Sequence, residues 1–325
     1  MPRAIIPLPV ELGPAFTAGA ARSSGVHVRR LRHADVTRIA HGLYARSSAL
    51  APDTGSAHPD ELWRIRQVEA SRAVAPLLSE RLFFTGATAA AIWGLPVRAT
   101  GSADLEVSTF HPHRAPRRTG LRATQVKREL VRVVEHCGLR VIDPASTWAV
   151  LGGRLALPDC VALGDAVIRQ PRYPGTARLK RPPLAAPDDL GHMVTRGRRA
   201  GIARLRDALP LLSPHSASPP ESHLRLLIGE WRLPAPALDF DVRDAHGRLL
   251  GCSELAFPAF RLAVEYEGRG HMTDAQQWNR DIEKYRDYTA ADWETLRVTA
   301  ELLYGRRREL RSQLIEALTR RGWAG

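Results

Sequence analysis

The chain has 325 residues, of which 44% are hydrophobic and 25% charged, so it is long enough for two or three domains with ample cores. It has no uninterrupted apolar stretch of the length that a bilayer requires, and its three cysteines form no zinc pattern. The net charge of +13 indicates a polyanionic partner, most simply nucleic acid, although codon bias can also produce an arginine excess. Pro7 and Pro9 interrupt the apolar patch at the N-terminus, which is too short for a signal peptide. We therefore expect a cytoplasmic protein that does not bind membranes.

Residues 1–50 predict a small basic domain with a winged helix-turn-helix. "FTAGAARSSG" predicts a first helix, "VHVRRLRHADV" a second helix, and "TRIAHGLYAR" a short β-hairpin. In such a domain the second helix enters the major groove of DNA and the wing contacts the backbone. An ordinary small helical cap would give the same pattern. The candidate DNA contacts are Arg29 and Arg30, which we expect to be free, together with Arg32 and Arg38.

Residues 51–212 predict a mixed α/β middle domain. An amphipathic helix, a strand followed by an alanine-rich helix, and several short strands come first. Two further helices and a basic amphipathic helix follow, and the arginines of the last, within residues 196–206, could also hold phosphates. Residues 213–219 are rich in serine and proline and predict a linker.

Residues 220–325 predict a second α/β domain with the element order αβββαβα. The stretch "PPESHLRLLIGEWRLP" begins a helix, and Glu221 lies in its first turn, where the helix dipole favours a carboxylate. A β-hairpin, the strand "FRLAVEYEG", a helix, a strand and a final helix follow. The fold class expected for the whole chain is therefore α/β (α+β) and multidomain.

Carboxylates on two neighbouring strands of this domain form a candidate site. Alternation places Glu265 and Glu267 on one face of their strand, and Glu254 can meet Glu265 across an antiparallel pair. Gathered carboxylates repel one another unless a cation lies between them, and Mg²⁺ prefers oxygen ligands. A solvated polar face of an edge strand is the alternative. His271 follows the strand, and Arg280 and Lys284 share one side of the next helix.

The motifs "PPESHLRLLI", "GCSELAFP", "LAVEYEGRGH", "WNRDIEKYRDYTAADW" and "LRVTAELL" resemble the very-short-patch-repair-like endonucleases, a branch of the PD-(D/E)XK restriction-endonuclease fold. The resemblance implies that Glu254 and Glu265 bind Mg²⁺ and that Glu221 is the acid of the leading helix. Relatives usually carry Asp at the positions of Glu254 and Glu267. Glu267 also stands where the broader fold often has a lysine, so activation of water would fall to the metal, His271 or Lys284. We expect Glu267 to bind a water or a second ion, and Arg280 and Lys284 to contact nucleic acid.

The rest of the chain resembles AbiEi-type antitoxins and transcriptional regulators. The motifs that carry this resemblance are "RRLRHADVTRIAHGLYAR", "TGATAAAIWGLP", "GLRVIDPASTWAVL" and "CVALGDAVIR". Together the two resemblances imply a DNA-binding protein with a Mg²⁺-dependent endonuclease-like domain. The alternative is a non-enzymatic regulator that binds an operator or a toxin. We expect no small-molecule substrate in either case.

Overall fold

Three β-sheets flanked by helices form the chain, which confirms the predicted α/β multidomain fold. The computed structural model describes residues 6–50, 58–268 and 275–325, and for residues 275–281 only the backbone. The chain divides into two compact units. The first unit is Met1–Arg154 with Asp189–Ile202, and the second unit is Leu155–Asp188 with Ala203–Gly325.

The helices and strands of the described residues are as follows. The α-helices are α1 (Ala18–Ser23), α2 (Pro59–Val74), α3 (Gly86–Ile92), α4 (Pro144–Gly152), α5 (Leu157–Ile168), α6 (Pro187–Thr195), α7 (Ile202–Ala208), α8 (Pro219–Glu230), α9 (Ala275–Ala290) and α10 (Arg307–Arg320). The strands are β1 (Ala15–Thr17), β2 (Val36–Ala40), β3 (Leu43–Arg46), β4 (Leu82–Phe84), β5 (Leu105–Phe110), β6 (Leu121–Val126), β7 (Val133–His136), β8 (Leu139–Ile142), β9 (Ala237–Arg243), β10 (Leu249–Phe257), β11 (Leu262–Glu267) and β12 (Glu294–Thr299). None of these helices combines the length and the apolar character needed to cross a bilayer.

The N-terminal part of the first unit is a three-stranded antiparallel sheet with one short helix. The strand order is β1-β3-β2, and Thr17 caps α1 by accepting a hydrogen bond from the amide of Ala20 at 3.0 Å. The second predicted helix, residues 26–36, is wrong in length and type, because only a 3₁₀ helix at Val28–Arg32 forms there. Leu31 is buried, but Val28 is 54% exposed, so a single apolar residue anchors this segment. One anchor is too little to stabilise a longer helix.

The middle sheet of the first unit has the order β6-β5-β4-β8-β7. The predicted strands at 103–110, 120–126 and 138–144 correspond to β5, β6 and β8. The sequence analysis missed β7, which pairs with β8 in antiparallel register. The Asp143 side chain caps α4 by accepting from the amide of Ser146 at 2.8 Å, so the helix starts where the sequence predicts.

The second unit contains a four-stranded sheet with the order β12-β11-β10-β9. Strands β9, β10 and β11 are antiparallel to their neighbours, whereas β12 runs parallel to β11. From α8 onwards the elements follow the predicted order αβββαβα, with a single π-helical turn at Glu301–Gly305 before α10. Helix α5 also belongs to this unit, where the Ser222 hydroxyl of α8 donates to the carboxylate of Asp165 at 2.7 Å.

The two faces of this sheet are covered differently. Leu255, Val264 and Val298 pack on one face with the apolar side chains of α8 and α10. Ala256 and Ala263 lie on the other face, beside Tyr288 of α9. Small side chains on this second face leave α9 close to the sheet. The carboxylates of the candidate site therefore lie between the sheet and α9.

Candidate functional site

Glu254 and Glu265 lie opposite each other where the β10–β11 ladder ends. The last paired residues are Leu255 and Val264, so the two glutamates follow one step beyond. The carboxylate of Glu254 accepts a hydrogen bond from the amide of Tyr266 at 2.8 Å, and the carboxylate of Glu265 accepts one from the amide of Glu254. The two side chains therefore take the place of backbone acceptors, and this fixes them where the strands stop pairing.

A lysine from α9 joins this pair. The Nζ atom of Lys284 lies 3.0 Å from Oε1 of Glu265, a residue that is only 5% exposed. Gly251 of β10 permits this approach. A Cβ atom at that position would lie 3.0 Å from the Tyr288 hydroxyl and 3.2 Å from Cγ of Lys284.

Glu221 is the third buried carboxylate of the site, and the start of α8 positions it. One oxygen accepts from the amide of Ala217 at 2.7 Å and the other from the hydroxyl of Ser218 at 2.9 Å. Ser218 in turn is the N-cap of α8, so the arrangement is a capping box. Glu221 is therefore held rigidly, and both of its oxygens have protein partners.

The carboxylates of the site are difficult to ionise together. Burial, and then the charges of Glu221 and Glu265, raises the pKa of Glu254 to about 8. Burial also raises the pKa of Glu265, although the ammonium of Lys284 opposes this shift. Burial raises the pKa of Glu221 as well. Three carboxylates that interact with one ammonium favour either a bound proton or a further cation.

The donor set at Glu254 and Glu265 fits a divalent cation. Mg²⁺ is usually held by one or two carboxylates and keeps several waters. Oε1 of Glu265 is buried and makes no aligned hydrogen bond, so it remains a strong acceptor. In the part of the chain that the structure describes, no three His, Cys, Asp or Glu side chains gather closely enough to form a complete protein cage. The described residues would therefore supply two carboxylate ligands.

Glu267 has different partners from those that the sequence predicts. Its Oε1 accepts from Nε of Arg297 at 2.6 Å and from the Tyr285 hydroxyl at 3.1 Å. Arg297 lies on β12, which runs parallel to β11, so the pairing of these strands brings it to Glu267. The carboxylate therefore faces a guanidinium, where we expected a water or a second ion.

Two predicted site residues fall outside this description. His271 lies outside the described residues, and so does the side chain of Arg280, whose backbone is part of α9. Their predicted roles stay predictions.

The predicted DNA contacts in the first unit differ from one another in their partners. Arg29, Arg32 and Arg38 are exposed, as a DNA contact requires. Arg30 is not free, because it holds both oxygens of Asp35 at 2.7 and 2.6 Å and also donates to a backbone carbonyl. Arg30 therefore stabilises the 3₁₀ segment, and the expectation that it is free is wrong.

A second polar cluster in the second unit was missed by the sequence analysis. Arg172 contacts Asp239 at 3.0 Å and Asp241 at 2.9 Å, and it also donates to the backbone carbonyl of Asp239. The thiol of Cys252 donates to Asp239 at 3.1 Å, and burial raises the pKa of this thiol to about 12. Alternation in "ALDFDVR" could have placed the two aspartates on one face, but no local signal identifies Arg172 as their partner.

Comparisons with known proteins give a distant relationship without an assigned activity. No protein-family model matches the chain. Two curated relatives from two strains of Mycobacterium tuberculosis carry the descriptions uncharacterized protein Rv2248 and uncharacterized protein MT2308. Each is 25% identical over 302 residues, which cover 91% of this chain and 97% of the relative. The similarity therefore extends over both units.

Proposed function

We propose that the protein acts in the cytoplasm on DNA and that its second unit cleaves phosphodiester bonds with the help of Mg²⁺. The observation that carries this proposal is the position of Lys284, 3.0 Å from the buried Glu265 and beside Glu254. Two acids and a lysine are the functional groups that the PD-(D/E)XK fold uses. The lysine comes here from α9, and Glu267 stands at its usual place on the strand. The observed order αβββαβα is the one expected for that fold.

Each residue of the site has a proposed role. Glu254 and Glu265 would hold Mg²⁺, which when bound supplies positive charge at the phosphate and lowers the pKa of water. Lys284 would keep Glu265 ionised and donate hydrogen bonds to a phosphate oxygen or to the attacking water. Glu221 would maintain the negative potential that attracts the cation while anchoring α8. His271 is proposed to orient water or to stabilise the leaving oxygen.

DNA would be held mainly through its backbone. The net charge of +13 and the exposed Arg29, Arg32 and Arg38 support binding that weakens steeply with salt. We extend this role to Arg280 and, in the presence of DNA, to Lys284.

Nicking of supercoiled plasmid in 5 mM Mg²⁺ or Mn²⁺ tests the activity. We expect Glu265→Gln and Lys284→Met to lower the rate at least about a hundredfold, the usual range for an acid, base or electrostatic group. Glu230→Gln serves as the control, because Glu230 is exposed at the end of α8 and should leave the rate unchanged. If the wild type and Glu265→Gln nick equally slowly, the nuclease proposal is wrong.

A non-enzymatic regulator of the AbiEi type is the second candidate. One observation favours it: Lys284 already neutralises Glu265, and Glu221 is occupied in capping α8, so the unit needs no metal to be stable. The first unit would then bind an operator, and the second unit would serve as a platform or contact a toxin. Footprinting of the DNA upstream of its own gene distinguishes the two. A discrete protected site without cleavage in Mg²⁺ supports the regulator.

A further inference from the structure

The first unit contains a basic cavity of about 560 Å³ that the proposed nuclease does not use. The end of β5, the β7–β8 hairpin and the segment after α6 enclose it. Its polar lining includes four guanidinium groups and one carboxylate, namely Arg128, Arg132, Arg140, Arg196 and Glu135. We call it the arginine cavity.

Most of the positive charge in the arginine cavity is not neutralised by ion pairs. Arg132 pairs with Asp143 at 3.2 Å, and Arg128 lies over the ring of Phe110 with its Cζ 4.3 Å from the centroid. Arg140 and Arg196 are exposed and make no ion pair with any residue that the structure describes. Glu135 lies opposite Arg140 in the β7–β8 register and offsets part of one charge. A net excess of guanidinium groups remains.

A fifth guanidinium lies next to this lining. Arg199 is half-buried and donates to the carbonyl of Leu130 at 2.8 Å, while its Nε is buried and, within the described residues, makes no hydrogen bond. Burial, and then the charge of Arg196, lowers the pKa of Arg199. A bound anion would relieve this repulsion.

The rest of the lining is apolar and indicates what the anion is attached to. Val131, Val133 and Val134 form one wall, and Phe110 borders it. The volume lies within the range of small-ligand sites, which combine apolar walls with a few polar groups. Guanidinium groups bind phosphate oxygens in bidentate geometry, and arginine also stacks on planar rings. Phosphate next to a planar apolar group is the chemistry of a nucleotide.

We propose that the arginine cavity binds the phosphate of a nucleotide through Arg140 and Arg196, with the base against the valine wall. The nucleotide is either free or one unit of a nucleic-acid strand, and in both cases the same groups recognise it. The proposal does not depend on the nuclease, because it requires no chemistry at Glu254 or Glu265.

Equilibrium binding to the full chain in EDTA tests this proposal, since EDTA prevents cleavage. The probes are a fluorescent ATP analogue and a labelled single-stranded oligonucleotide. The double variant Arg140→Gln/Arg196→Gln removes the two exposed charges of the cavity. The control Arg66→Gln/Arg117→Gln removes two exposed arginines of the same unit outside the cavity. Both variants are expected to fold, because all four side chains are on the surface.

We expect the cavity variant to weaken the binding of at least one probe about tenfold or more, and the control by less than about twofold. A loss for the ATP analogue identifies a free nucleotide as the ligand. A loss for the oligonucleotide alone, with a salt slope smaller by roughly 0.7 for each lost contact, identifies a strand. Equal losses in the two variants, or no binding of either probe by the wild type, would overturn the proposal.

Discussion

Glu254→Gln is expected to remove a pH-dependent loss of stability at the carboxylate site. Burial and the nearby Glu221 and Glu265 raise the pKa of Glu254 from 4.5 to about 8. Between these values the folded protein keeps a proton on Glu254 that the unfolded chain releases. The contribution of this group to stability is therefore fully present below pH 4.5 and is lost as the pH rises towards 8.

The size of this loss follows from the shift. One pKa unit corresponds to about 1.4 kcal/mol, so about 3 kcal/mol would be lost between pH 5.5 and pH 8. Glu254 is only half-buried, and solvent screening reduces the expected loss to about 1.5 kcal/mol. Glutamine is uncharged at both pH values and still offers an oxygen to the amide of Tyr266.

Urea denaturation at pH 5.5, 7 and 8 and constant ionic strength measures the effect. The free energy of unfolding of Glu254→Gln should exceed that of the wild type by about 1.5 kcal/mol more at pH 8 than at pH 5.5. The control Glu230→Gln, with an exposed carboxylate that stays hydrated, should follow the wild type. Parallel pH profiles for the wild type and Glu254→Gln would show that this carboxyl does not carry a strongly raised pKa.

Three further substitutions test contacts elsewhere in the second unit. Arg172→Met should lower the free energy of unfolding by about 3 kcal/mol, because it leaves two partly buried carboxylates of β9 without their shared guanidinium; an unchanged urea midpoint would contradict this. Asp165→Asn should lower it by about 3 kcal/mol, since the buried Asp165 is the partner of Arg225 at 2.9 Å; thermal unfolding would show no change if the pair were unimportant. Glu267→Gln should lower it by less than about 1 kcal/mol, because its guanidinium partner on β12 is 47% exposed, and plasmid nicking should stay within about twofold of wild type; a large loss of nicking would return Glu267 to the catalytic groups.

Patterns within single elements were predictable from the sequence. Period-2 alternation placed Glu265 on the polar face of β11, and the observed register places Glu254 opposite it. The capping residues at Asp143 and Ser218 fix the starts of α4 and α8. These features depend on neighbours a few residues apart, so the local sequence contains the information.

Contacts between distant segments were not predictable in the same way. The sequence put Lys284 on a helix but did not pair it with Glu265, and it gave no reason to pair Arg297 with Glu267. Arg172 reaches the aspartates of β9 from a loop 67 residues earlier in the chain. The second predicted helix failed because Val28, which has a helical pattern, has no core to pack against.

By itself the sequence determined which residues carry charge, the order of helices and strands in the second unit, and the faces of its strands. Only the tertiary structure decided which charges meet. It assigned Lys284 to the buried carboxylates, Arg297 to Glu267 and a group of arginines to one cavity. The physical reason is that the pKa of a carboxyl and the strength of an ion pair depend on burial and on distance through space, which alternation and capping signals along the chain do not specify.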